Sequence, residues 1–227
     1  MREHTGRKIA GVIFDVDGTL LDTMPVWRNS GARFLESMGI QPEEGLGEKL
    51  FSETVETGAE YLINAYDLDM TVHEVAAGID EQVAHAYECN AGFKPGAEKL
   101  LKTLKAEKIP VTVATSTRRH LIETAFERLE IMDYFTGIFT APEVGKTKSE
   151  PDIFHLAAGL MESPVEDTWV FEDGLYAIKT AHAEGFGTVG VYDRASQKDV
   201  AAMKHFADYY LESLEGFNFL AAVGGRR

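Results

Sequence analysis

Cysteine is nearly absent: Cys89 stands alone among 227 residues, which excludes a disulfide within one chain and suits a reducing compartment. Its place in an apolar helical pattern predicts a packed thiol rather than a reactive one. Positive charge is also scarce. Against 37 Asp and Glu stand 22 Lys and Arg, a formal net charge of −15, so long-range forces repel nucleic acid and anionic membrane surfaces. No apolar run approaches the roughly 20 residues that cross a bilayer. Met1 to Lys8 lead into a stretch broken by Asp15 rather than into a signal-peptide core, and together these features predict a cytoplasmic protein. No Gly-x-Gly-x-x-Gly follows the first apolar strand, which disfavours a nucleotide-dependent oxidoreductase. Repeats and low-complexity tracts are missing too. A hydrophobic content of 44% over this length supports one good core and a small second unit.

What is present is organised around Ile9 to Thr23. Ile9 to Phe14 form an apolar, partly β-branched run, as a strand buried on both faces requires, and the run stops at Asp15 and Asp17. Two carboxylates at the end of a buried strand repel each other, and a hard divalent cation such as Mg²⁺ reconciles them most easily. Gly18 lets the backbone turn sharply. The plainer alternative is a loop using Asp and Gly as turn formers.

From Met24 the period becomes helical. Trp27, Gly31, Phe34, Leu35 and Met38 share a face, Pro25 suits a first turn, and Gly39 ends the segment. A second helix is expected over Gly47 to Tyr66. A third starts at Thr71, whose spacing to Glu74 is that of a capping box. This all-helical insertion closes near Asn90 to Pro95. Helices and strands then alternate, the mark of a parallel sheet with covering helices. Strands are expected at Val111–Thr115, Ile138–Thr140, Trp169–Phe171, Thr188–Tyr192 and Tyr209–Leu211. Helices are expected at Gly96–Glu107, around Leu121 to Leu129, at Pro151–Met161, Gly174–Glu184 and Gln197–Phe206, with a partly disordered tail from Gly216.

The strand ends carry the chemistry. Thr115 and Ser116 terminate one strand, where hydroxyls either hold a phosphate oxygen or serve as plain helix caps. Lys148 precedes Pro151-Asp152-Ile153-Phe154, and Lys146 is equally charged two residues earlier. Glu172-Asp173-Gly174 ends another strand, as a helix cap or, with Asp15 and Asp17, as a cation site. The seven histidines, including His120, His155 and His182, fall on helices without ligand spacing and read as structural or surface residues.

Asp15-x-Asp17-Gly18-Thr19, Thr115, the Lys148 segment and Glu172-Asp173, in this order, resemble the four motifs of the haloacid dehalogenase-like superfamily over essentially the whole chain. The insertion resembles the cap of its β-phosphoglucomutase and small-molecule phosphatase branch. The resemblance implies an α/β protein with a Rossmann-like parallel core from residues 1–22 and 92–227 and an all-helical cap, 23–91, hinged near Leu21–Thr23 and Ala91–Pro95. Asp15 is then the nucleophile, Asp17 the general acid/base, and Thr115 and Lys148 complete the catalytic set. Mg²⁺ is expected on Asp15, the backbone carbonyl of Asp17, and Asp173, with Glu172 as ligand or one layer behind. Gly18, Thr115, Ser116, Lys148, Trp27 and Arg28 are expected around the substrate, and Arg119 reads equally as surface or contact.

The implied activity is Mg²⁺-dependent hydrolysis of a small phosphate monoester through an aspartyl-phosphate, by a monomer or weak homo-oligomer. A phosphomutase and a non-catalytic phosphate-binding protein are the alternatives. Dehalogenases of the superfamily usually lack the second Asp, and its presence as Asp17 favours phosphoryl chemistry. Mutases of this branch carry a His ten residues past the acid/base; here that position is Trp27, which does not titrate, and this favours attack by water.

Overall fold

A computed structural model of the chain describes residues 8–50 and 55–223. The chain divides into two compact units, Met1–Asp22 with Gly92–Arg227, and Thr23–Ala91.

The first unit is built on β1 (Gly11–Phe14), β2 (Val111–Thr115), β3 (Gly137–Thr140), β4 (Thr168–Glu172), β5 (Gly187–Val191) and β6 (Tyr209–Leu211). All five pairings are parallel, in the order β3-β2-β1-β4-β5-β6. The apolar run of β1 is fully buried because the strand is central, flanked by β2 and β4. Strand order reverses between β1 and β4, and the crevice outside the carboxyl ends at such a switch point is where open α/β sheets bind ligands. Register fixes who meets there. Phe14 lies opposite Val113 and Phe171, so Asp15 stands level with Ala114 and Glu172.

The second unit holds α1 (Met24–Ser37), α2 (Leu46–Leu50), α3 (Val55–Tyr66) and α4 (Val72–Cys89). The first unit adds α5 (Ala97–Ala106), α6 (Arg119–Arg128), α7 (Ala141–Val144), α8 (Asp152–Leu160), α9 (Leu175–Glu184), α10 (Val200–Phe206) and α11 (Phe219–Val223). Alternation along the strands sends Ile13, Ala114 and Val170 to one face, where they pack with Ile153, Phe154 and Ala157 of α8 and Ala177 and Ala181 of α9. Phe14, Trp169 and Phe171 share the opposite face, and Phe219 stacks edge-on against Trp169 and Phe171 at 5.6 and 5.1 Å between centroids. A buried aromatic of this kind contributes roughly 1.5–3 kcal/mol. Within the tail from Gly216, Phe219–Val223 is a short helix that buries Phe219 and Val223, with Phe219 completing this aromatic cluster. Residues 224–227 lie outside the described residues.

Two smaller differences concern local geometry. The helix expected from Gln197 begins as 3₁₀ turns over Arg194–Asp199, opened by Asp193 accepting from the Ala195 N–H, and becomes α-helical at Val200. The single helical turn of α7 was not expected; Thr140 caps it through the Glu143 N–H.

The second unit packs Phe34, Leu35, Leu46, Ala59, Leu62, Val75 and Ile79 into its own core. Thr71 and Glu74 form the expected capping box, the Thr71 N–H donating to Glu74 Oε2 at 2.8 Å. The helix expected over Gly47 to Tyr66 is described in its two ends, α2 up to Leu50 and α3 from Val55, and residues 51–54 lie outside the described residues. The segments leading to and from this unit are paired: the Asp22 N–H donates to Gly92 O and the Lys94 N–H to Leu20 O, both at 2.9 Å.

Candidate active site

Asp15 follows β1, and its N–H donates to Phe171 O at 2.9 Å, which ties the end of β1 to β4. Beyond it the Val16 carbonyl accepts from Thr19, Leu20 and Leu21. Gly18 makes this turn possible with φ +85°, and its N–H is spent on Leu21 O at 2.9 Å.

Lys148 arrives from the loop before α8. Its ammonium donates to Asp15 Oδ1 at 2.6 Å, Glu172 Oε2 at 2.9 Å and Ala114 O at 3.5 Å, and it is 2% exposed. Lys146 instead pairs with Asp152 and Glu150 at the surface, so of the two lysines only Lys148 meets Asp15. Asp15, Glu172 and Asp173 are all buried, with ligand oxygens within 4.8 Å of one another. Asp17 is half-buried and stands outside that group; its Oδ2 accepts from the Thr117 hydroxyl at 2.6 Å.

Charge is concentrated in this cluster. Burial pushes the Glu172 carboxyl up to about 8, with Asp15 adding to the effect and Lys148 opposing it. Asp173 is driven well above the carboxylate range by burial, then by Glu172 and Asp15. Burial likewise raises Asp15 against the pull of Lys148. Burial alone would lower Lys148, but Asp15 and Glu172 hold it well above the usual lysine value. Three buried carboxylates around one ammonium leave a deficit of positive charge, and an all-oxygen donor set is what Mg²⁺ requires. The residues present fit that cation.

Thr115, fully buried at the end of β2, accepts from the Thr117 N–H at 3.1 Å and keeps its hydroxyl proton to donate. Ser116 is exposed. In the second unit, Trp27 Nε1 donates to the Tyr87 hydroxyl at 3.0 Å and Arg28 pairs with Glu48 at 3.2 Å. Arg119 is committed to structure: it forks onto both oxygens of Glu143 and donates to Ile138 O.

Three features escape sequence reasoning. Thr117 was hidden in a run of hydroxyls whose directions only the fold decides. The part-buried Lys94–Asp193 pair, 2.7 Å apart just past β5, did have a signal, since Val191-Tyr192-Asp193 repeats the acid-after-apolar-strand pattern. The third corrects the reading of Cys89. It is exposed, 3.8 Å from His85 Nδ1, and with Glu88 these residues form a second group at helical spacing, so one histidine does have ligand spacing.

A family model described as "Hydrolase: haloacid dehalogenase-like hydrolase" matches residues 9–185, a span that includes every strand end just described except that of β6 and the Asp193 end of β5. The chain belongs to the haloacid dehalogenase-like hydrolases. It is an enzyme with a doubly covered parallel sheet, as expected from the four motifs. It is 34% identical over 202 residues to the "Probable pseudouridine-5'-phosphatase" of Drosophila melanogaster, covering 85% of this chain and 86% of that protein. It is 26% identical over 174 residues to the "Phosphorylated carbohydrates phosphatase" of Thermotoga maritima, covering 77% and 81%. Among solved structures, CbbY from Rhodobacter sphaeroides in complex with phosphate superposes with a TM-score of 0.74 at 22% identity, over 95% of this chain and 99% of that one, which is a likeness of fold.

Proposed function

We propose that this hydrolase is a cytoplasmic, Mg²⁺-dependent phosphatase of a small phosphorylated metabolite, a sugar phosphate in the broad sense, acting through an aspartyl-phosphate. The observation that carries the reading is Asp15 Oδ1 held 2.6 Å from a buried ammonium at the switch point of the sheet. A carboxylate attacks a phosphate dianion only where charge is neutralised, and Lys148 sits where both can be met. The phosphatase names of the relatives support the substrate class.

In this mechanism Asp15 attacks phosphorus in line with the leaving oxygen, which takes a proton from Asp17; Asp17 then removes a proton from the water that cleaves the acyl phosphate. Thr117 orients Asp17 through its 2.6 Å bond. Thr115 and Ser116 offer hydroxyl donors to phosphate oxygens. Asp15, the Asp17 carbonyl and Asp173 would hold Mg²⁺, with Glu172 completing the charge balance through Lys148. Bound there, the cation supplies charge that polarises the phosphoryl group. Residues 23–91 act as the cap that selects the substrate. Trp27, whose single N–H is bonded to Tyr87, stands where mutases carry a titrating His, which supports hydrolysis over transfer.

A panel of sugar phosphates, nucleoside monophosphates and polyol phosphates, assayed with Mg²⁺ for released inorganic phosphate, tests the proposal; release from none of them overturns it. Incubation with β-glucose 1-phosphate and a trace of the 1,6-bisphosphate tests the hydrolase assignment. Glucose 6-phosphate accumulating without matching inorganic phosphate would make the enzyme a mutase.

A further inference from the structure

The C-terminal end of α4 carries three metal-ligating side chains on one face. Cys89 follows His85 by four residues and Glu88 follows it by three, the spacings that stack side chains along one side of a helix. Cys89 Sγ lies 3.8 Å from His85 Nδ1, and with a Glu88 carboxylate oxygen the three ligand atoms fall within 4.8 Å of one another. Tetrahedral Zn²⁺ takes sulfur at about 2.3 Å and imidazole nitrogen at about 2.0 Å, which sets those two ligands roughly 3.5 Å apart. The observed pair therefore needs to close by only about 0.3 Å to hold the ion. All three side chains are exposed, so Glu88 can turn in to a third position without disturbing packing.

Charge and ligand chemistry select the cation. A thiolate, a carboxylate and a neutral imidazole together carry two negative charges, the complement of a dication. The end of α4 is also the negative end of its dipole, and Ala86–Cys89, its last turn, contains no Lys or Arg to compete. Mg²⁺ and Ca²⁺ take oxygen ligands, whereas thiolate together with imidazole suits Zn²⁺. We propose that His85, Glu88 and Cys89 form a Zn²⁺ site in the second unit, with water in the fourth position. Binding forms the Cys89 S–Zn bond and releases the thiol proton to solvent. The site shares no residue with the carboxylate group around Asp15, and the inference does not depend on the phosphatase reading.

The test uses Co²⁺ as a spectroscopic probe, titrated into the full chain kept reduced by a phosphine, with excess Mg²⁺ to compete at the acidic cluster. Cys89 is the single cysteine, so a thiolate-to-Co²⁺ charge-transfer band in the near ultraviolet reports this site alone. The band should saturate at one Co²⁺ per chain and be erased by Zn²⁺ in the same ratio. Cys89→Ser should remove it. His85→Ala and Glu88→Gln should keep the thiolate band but weaken binding of both ions by at least about tenfold each, since even a partner one layer behind a ligand is worth that much. Three results each overturn the inference: no band at millimolar Co²⁺, saturation at one ion per two chains, which means thiols of two molecules share it, or unchanged affinity in either His85→Ala or Glu88→Gln.

Discussion

The hydroxyl of Thr117 donates to Oδ2 of Asp17 at 2.6 Å, joining residues 100 positions apart across the gap between β1 and β2. Asp17 stands outside the buried carboxylate group, and in the proposed mechanism this half-buried acid with a hydroxyl partner passes protons between substrate and water. Thr117→Val keeps the shape and deletes the donor. It should lower kcat about tenfold with little change in KM. An unaltered kcat would show that Thr117 does not orient Asp17.

Asp15→Asn keeps the size of the proposed nucleophile and removes its ability to form an acyl phosphate. Steady-state turnover should fall by at least about a thousandfold while circular dichroism stays that of the parent protein. Turnover near the parent rate would exclude Asp15 from attack on phosphorus.

Lys148→Ala and Lys146→Ala should differ sharply. The first strips the ammonium from Asp15 and Glu172 in a buried site; at neutral pH in chelator it should cost about 3 kcal/mol of stability and lower kcat/KM on the order of a hundredfold or more. The second breaks surface pairs whose side chains are 39–52% exposed, worth at most about 1 kcal/mol, and should leave the kinetics alone. Melting curves and initial rates of the two variants check this, and equal effects would count against the buried pair.

Stability should depend on pH in a way set by the same cluster. Asp15, Glu172 and Asp173 all titrate above their unfolded values, Glu172 at about 8, so above roughly pH 4.5 the folded chain binds more protons than the unfolded one. Their contribution is fully present at low pH and is lost as pH rises through the folded values. Lys148, shifted upward, loses its contribution only at more alkaline pH. In chelator the melting temperature should therefore fall from about pH 5 to pH 8.5. Mg²⁺ competes with protons for the carboxylates and should raise it more at pH 8 than at pH 5. A chelated melting temperature that climbs across this window, or is insensitive to Mg²⁺ at pH 8, contradicts the assignment of a cation site.

The sequence by itself determined the α/β class, the helical insertion, and the strands that end in Asp15, Thr115 and Glu172-Asp173. Those features rest on local causes: a run such as Ile9 to Phe14 buries only as a central strand, Gly18 supplies a positive φ that L side chains rarely adopt, and Thr71 with Glu74 caps a helix within four residues. Tertiary structure decided everything that depends on direction. Lys146 and Lys148 have the same charge and nearly the same place in the chain, and only the approach of the α8 loop to β1 buries one and exposes the other. Thr117 looks like any surface hydroxyl until parallel register sets the end of β2 beside that of β1, within reach of Asp17. Cys89 went against expectation for the same reason: an apolar pattern states that a face is buried somewhere, and the packing of the other elements decides which residues at its margin are covered.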